Sequence, residues 1–261
     1  MKLVFLEHLR ESLAKQRESL AKQRMIDDFI QEQVSLNRNF KVIEEAIENN
    51  AFSRIRSRHI AGTITDEEHH LCSSVKIGEH VWMSKNLNVS RFKNGDLIPQ
   101  VQTDAQWKLA CRDKMPAWCF YENDPGNDKI YGKLYNWHAV IDPRGLAPEG
   151  WHLPSDAEWT RLIDHLGGNL VAGRAMKSNR GWESYRGRGG NGNNNSGFDG
   201  RPGGDRCYLG SFELRGYYGK WWISSPHIAH CMCLSWDDGE VGRREFDIDI
   251  GYGISVRCVR D

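Results

Sequence analysis

The first 50 residues contain neither glycine nor proline and are densely charged, while every glycine and proline of the chain lies beyond them. A stretch without either residue has no built-in break in a helical backbone. It reads as helix, and the remainder has to fold as something richer in loops. Within the helical part the heptad Glu-Ser-Leu-Ala-Lys-Gln-Arg stands twice without change, at 11–17 and 18–24. Ile26, Phe29, Leu36, Phe40, Ile43 and Ile47 then follow at alternating spacings of three and four, with Gln33 at the remaining step. Such spacing makes a stripe on one helix face, and a stripe needs a partner. We expect a coiled coil that sets the oligomeric state of a homo-oligomer, or a helix that docks onto a partner protein. Asn49-Asn50 ends the segment, and Arg54, Arg56 and Arg58 alternate through a solvated linker at 51–71.

Charge narrows the class of partner. Lysine and arginine total 35 against 35 acidic residues, so the clustered positive surplus that phosphate binding rests on is missing, and no nucleic acid is expected. No stretch approaches the ~20 apolar residues needed to span a bilayer, so no membrane insertion is expected. Glu7, His8 and Arg10 interrupt the apolar start before a signal-peptide core develops. The expectation is a cytoplasmic protein, with display on a surface or a virion as the alternative. Without an export signal the seven cysteines are expected to be mostly reduced, although pairing is left open.

Beyond residue 72 the texture changes to short strands, turns and glycine, and the ten tryptophans fall after residue 80. Val75–Ile77, Gly78 and His80–Trp82 read as strand, turn and strand. Thr103-Asp-Ala-Gln106 and Ser155-Asp-Ala-Glu158 are capping boxes, each opening a short helix. In the second helix Trp159, Leu162, Ile163 and Leu166 share one face, and Gly167-Gly168 stops it. Residues 181–206 read as long loop, and the chain from Tyr217 onward as strands. These elements give an α+β domain at 72–261, with two short helices and mixed or antiparallel strands.

Several longer motifs stand in one order: Val81-Trp82-Met83 with Asn86-Leu87-Asn88, Pro116-Ala117-Trp118-Cys119, and Tyr131-Gly132-Lys133-Leu134-Tyr135-Asn136-Trp137. They are followed by Gly150-Trp151-His152-Leu153-Pro154-Ser155, Gly197-Phe198, Trp221-Trp222-Ile223-Ser224-Ser225 and Ser255-Val256-Arg257-Cys258-Val259. Together they resemble the Fibrobacter succinogenes major paralogous (FISUMP) domain family. The resemblance implies a C-type-lectin-like fold of the formylglycine-generating-enzyme branch, in a family usually found on secreted or lipid-anchored proteins. Domains of this kind are also similar to the variable proteins of diversity-generating retroelements, in which asparagine codons scatter into other residues.

No asparagine follows Asn195. Between the Trp-Trp motif and the terminal Ser-Val-Arg-Cys-Val stands a chemically mixed run at about 226–252, most of whose residue types arise from an AAC codon by changes at its first two bases; Met232 does not. On strands such a run alternates scaffold with displayed residues. The expectation is therefore a non-enzymatic ligand-binding protein whose variable C-terminal face meets a protein or a cell-surface structure. His227, His230, Ser235, Trp236, Asp237, Asp238, Arg244, Phe246, Asp247, Asp249 and Tyr252 are the expected contacts. Trp107, Trp137, Trp151 and Trp159 are expected to hold the scaffold beneath.

Other chemistry is weaker. His227, His230, Cys231 and Cys233 have metal-ligating side chains, but on a strand His230 and Cys231 face opposite ways. The lectin-like resemblance brings a rival reading, a formylglycine-generating-type copper oxidase using Cys231 and Cys233. Another is a structural assembly subunit with no diversified ligand. Gly187-x-Gly189-x-x-Gly192 matches a dinucleotide fingerprint by letters alone, without the strand and helix that give it meaning. No cofactor is expected. The Asn and Asp residues of 191–205 can supply oxygens to a structural calcium, although turn formation is what such residues ordinarily do.

Overall fold

A computed structural model describes residues 73–185, 187–225, 228–246 and 251–261. The helical segment at 1–50, its coiled coil, the linker at 51–71 and Cys72 lie outside the described residues.

In chain order the elements are β1 (Ser74–Ile77), β2 (His80–Met83), α1 (Asp104–Arg112), β3 (Trp118–Cys119), α2 (Asp128–Tyr131), β4 (Leu134–Asn136), α3 (Trp137–Val140), β5 (Trp151–His152), α4 (Asp156–His165) and α5 (Asn169–Met176). Then come β6 (Ser184–Tyr185), β7 (Arg188–Gly189), β8 (Gly203–Arg206), β9 (Phe212–Arg215), β10 (Tyr218–Trp222), β11 (Ala229–Ser235), β12 (Val241–Phe246), β13 (Gly253–Ile254) and β14 (Val259–Arg260). The named strands pair antiparallel in sheets of order β1-β2-β14-β5, β3-β4-β13-β8-β9 and β10-β11-β12, with β6-β7 a separate hairpin. Mixed α+β architecture is what results.

Both expected capping boxes form. Thr103 and Ser155 cap α1 and α4, and Gln106 and Glu158 reach back to the cap backbone. Trp159, Leu162 and Ile163 are buried along one face of α4, and Gly167 and Gly168 end it with φ of +100° and +95°. Gly78 turns the first hairpin at φ +62°.

Two expectations need correction. A third helix of useful length, α5, follows the glycine pair directly. Its interior Gly173 lies against the turn between β11 and β12, where a Cβ would meet the Gly239 carbonyl oxygen at 2.6 Å. The run read as loop from 181 to 206 ends in β8, whose four residues are all buried. Its Asp205 and Arg206 are polar, yet both are enclosed: Arg206 donates to the carbonyls of Gly210, Val101 and Gln102 and lies over the rings of Trp107 and Phe212. The rest of the run is turn and hairpin, with Gly187 at the tip between β6 and β7.

Aromatic rings organise the core. Trp82, Trp159, Phe198 and Trp221 form one cluster, with Trp82 and Trp159 at 4.8 Å between ring centroids. Trp137, Trp151, Trp222 and Tyr135 belong to a second, and Trp107 with Cys111, Cys119 and Leu134 to a third. The expected scaffold tryptophans 107, 137, 151 and 159 are all buried. All six described cysteines are buried, and no disulfide links them to one another.

Candidate functional site

The C-terminal sheet is fixed from behind by polar groups, the half-buried Asn86 and the buried Arg257. Asn86 Oδ1 accepts from Trp221 Nε1 at 2.8 Å and from Arg257 Nη2 at 2.8 Å, while its Nδ2 donates to the Tyr131 carbonyl. Arg257, fully buried, also donates to the carbonyls of Met83 and Phe198 and lies over the Phe198 ring at 4.2 Å. Burial lowers its pKa to about 9, the nearby Asp199 carboxylate only partly offsetting the desolvation. Arg257 has neutral acceptors where a buried guanidinium more often has a carboxylate.

Register decides which side chains share a face. Trp222 stands opposite Cys231 and Cys231 opposite Arg244; Lys220 stands opposite Cys233 and Cys233 opposite Gly242. One face therefore carries Tyr218, Lys220 and Trp222 from β10, Cys231, Cys233 and Ser235 from β11, and Gly242, Arg244 and Phe246 from β12. The other carries Trp221, Met232, Leu234 and Val241, all in the Trp82–Trp159 cluster, with His230, Arg243 and Glu245 beyond them.

On the first face the floor is a buried ion pair, in which Lys220 Nζ donates to Asp205 Oδ2 of β8. Desolvation raises the Asp205 pKa despite the ammonium beside it, and its Oδ1 has no hydrogen-bond partner among the described residues. Above the floor the Arg244 guanidinium lies 5.4 Å from the Tyr218 ring centre. Gly242 and Cys233 lie between their positions in the sheet and leave room for that long side chain to cross. Phe246 is edge-on to Trp222 at 5.6 Å and tilted against Tyr252 at 4.8 Å, and Tyr252 continues to Tyr208 at 6.2 Å. Arg244 and Tyr208 are exposed, while Tyr218, Phe246 and Tyr252 are half-buried.

Three expected contacts, Arg244, Phe246 and Tyr252, thus come together on one patch. Ser235, Trp236, Asp237 and Asp238 sit at the end of the β11–β12 hairpin. There Lys177 Nζ donates to the carbonyls of Ser235 and Asp238, the Gly173 amide donates to Gly239, and Trp236 is edge-on to Tyr217. Asp237 and Asp238 are exposed. His230 projects from the opposite face, half-buried near Asp156 and Glu245; burial holds its pKa below the usual imidazole range. His227, Asp247 and Asp249 lie outside the described residues. Tyr208, Tyr218, Lys220 and Asp205 were not among the expected site residues. The alternation Tyr218-x-Lys220-x-Trp222 was the signal for two of them, while Asp205 and Tyr208 lay in or beside what read as loop.

Cys231 and Cys233 point to the same face and both are buried. Burial pushes each thiol up, away from the thiolate that metal binding and nucleophilic chemistry use. Alternation turns His230 away from both. Among the described residues no group of three or more His, Cys, Asp or Glu side chains is placed to hold a metal ion. In the Asn-rich run the side-chain oxygens of Asn191, Asn193 and Asn194 accept from the backbone amides of Trp182, Asn195 and Asp199, so they build turns. Among the described residues no helix is long and apolar enough to cross a membrane.

The sequence model of the Fibrobacter succinogenes major domain matches residues 75–260. The chain belongs to that family. The match runs from β1 through β14, so the Fibrobacter succinogenes major domain includes both the Asn86–Arg257 pair and the C-terminal sheet. No curated protein and no solved structure matches.

Proposed function

We propose that the chain is a non-enzymatic binding protein that presents a patch at the β12 edge of its C-terminal sheet to a protein ligand. In this reading the scaffold is C-type-lectin-like, the run at about 226–252 is diversified in the manner of retroelement variable proteins, and the N-terminal helices multiply the face or dock it. Oligomerisation would add avidity without any new contact. One observation carries the proposal: Arg244, Phe246, Tyr252 and Tyr208 form an open patch of rings and one guanidinium over a polar pair that is itself sealed. Aromatic and arginine side chains over a rigid base are the chemistry that concentrates binding energy at protein interfaces.

The test is to sequence the 3′ end of this gene in many sibling clones and to search nearby for a near-copy of it. Substitutions confined to codons 226–252, at positions matched to adenines in the copy, support the proposal. An invariant segment without a copy refutes the diversified part and leaves a binder of fixed specificity.

A further inference from the structure

We infer that Arg244, laid over Tyr218, is the point at which this face takes the carboxylate of an acidic protein segment, with an apolar neighbour of that acid seated on Phe246 and Tyr252. The inference rests on the binding face proposed above. Three cations project from β10 and β12, and two are already used. Lys220 is sealed onto Asp205, and Arg243, on the opposite face, donates to Asp156 Oδ1 at 2.8 Å and Thr160 Oγ1 at 2.7 Å. Arg244 is exposed and has no carboxylate partner among the described residues. Its only ring partner there is Tyr218, which orients the guanidinium without neutralising it.

An oriented, unpaired guanidinium offers a planar fork of donors that matches a carboxylate bidentately. Holding it against a ring beforehand reduces the side-chain freedom lost on binding. The number of cations separates the alternatives. Nucleic acid and anionic lipid surfaces are bound by clusters of Lys and Arg, whereas among the described residues this patch has one cation without an ion-pair partner beside three half-buried or exposed rings, Phe246, Tyr252 and Tyr208. One acid next to one apolar side chain is the complement of that arrangement.

The experiment pans a random peptide library displayed on phage against the full chain and remeasures the enriched peptides on variants whose thermal unfolding matches the wild type. The expected result is enrichment of Asp or Glu beside a large apolar residue. Affinity should fall about tenfold or more in Arg244→Gln, be recovered only in part by Arg244→Lys, and stay unchanged in Lys76→Gln, an exposed cation on β1. Enrichment without acidic residues, or equal binding to Arg244→Gln, overturns the inference. If such peptides still lose affinity in Phe246→Ala and Tyr252→Ala, the face stands and only its acidic preference falls. Indifference to all three substitutions removes the face as well.

Discussion

Arg257 and Asn86 stand 171 positions apart in sequence, yet the buried Arg257 donates through Nη2 to Oδ1 of the half-buried Asn86 at 2.8 Å. The same oxygen accepts from Trp221, so one amide ties the end of β2, the start of the C-terminal sheet and the last motif of the chain together. Asn86→Ala removes the acceptor from a buried guanidinium and a buried indole at once. A buried donor left without a partner costs about 1–3 kcal/mol, more when it is charged. We expect a loss of about 3 kcal/mol or more, read from the midpoint of urea unfolding at unchanged slope. A loss under about 1 kcal/mol would mean that other acceptors replace Asn86.

Gly173 sets the position of the hairpin end. Its amide donates to the Gly239 carbonyl at 3.0 Å, and no Cβ fits there. Gly173→Ala gains helix propensity, worth about 1 kcal/mol at an unconstrained site, but forces the 235–241 turn away. We expect net destabilisation of about 1–3 kcal/mol and faster amide exchange from Trp236 to Val241. Unchanged exchange in that turn would contradict the account.

Lys220→Met leaves Asp205 buried and uncompensated. Breaking a buried pair on one side costs about 3–5 kcal/mol, while replacing both members with apolar residues is often neutral. Lys220→Met should therefore be much less stable than Lys220→Met/Asp205→Leu. Burial already raises the Asp205 pKa, and a raised carboxyl is least costly when protonated. Relative to the wild type, the single variant should accordingly be least destabilised below the unfolded carboxyl value, roughly 3.9, and increasingly destabilised as pH rises through the folded one. Equal stability of the single and double variants would refute the pairing.

His152 links β5 to two carboxylates, with Nε2 at 2.7 Å from Glu158 and Nδ1 at 2.7 Å from Asp261. Burial alone would lower its pKa, but these two hydrogen bonds carry it above the usual imidazole value. A raised folded pKa gives stabilisation that is fully present below the unfolded value, roughly 6.5, and is lost as pH rises through the folded one. Glu158 behaves in the opposite sense. Burial would raise it, but hydrogen bonds from Ser155 and His152 hold it low, so its contribution is lost as pH falls through its folded value. An NMR titration should find the His152 pKa above that of an exposed histidine and lower it in Asp261→Asn. No change on that substitution would show that the Asp261 contact does not act on the imidazole.

What was legible in the sequence was what local chemistry decides. Thr103 with Gln106 and Ser155 with Glu158 announce helix starts because a capping box is complete within four residues. The tryptophans announced a core because a ring that large has few other places to go. Helix α5 was hidden by Gly173, a poor helix residue kept for its contact with a turn more than sixty residues away. Strand β8 was hidden because Asp205 and Arg206 read as solvent-facing, and only the fold supplies Lys220, Trp107 and Phe212 around them. Alternation in the last strands was visible, and so was the separation of His230 from Cys231. What was not visible is that both faces of β10 and β11 are covered, one by the Trp82–Trp159 cluster and the other by the Trp137–Trp222 cluster and Asp205, which leaves Arg244 and Phe246 accessible on the edge strand β12.

The central claim is that a tolerant face rests on an intolerant scaffold. The most direct measurement compares two libraries of the full chain by display and protease resistance. One randomises Trp236, Asp237, Asp238, Arg244, Phe246 and Tyr252 together; the other randomises Asn86, Trp221, Trp222, Met232, Leu234 and Arg257. We predict that most members of the first remain folded and nearly all of the second do not. Comparable loss of folded protein in both libraries would contradict the account.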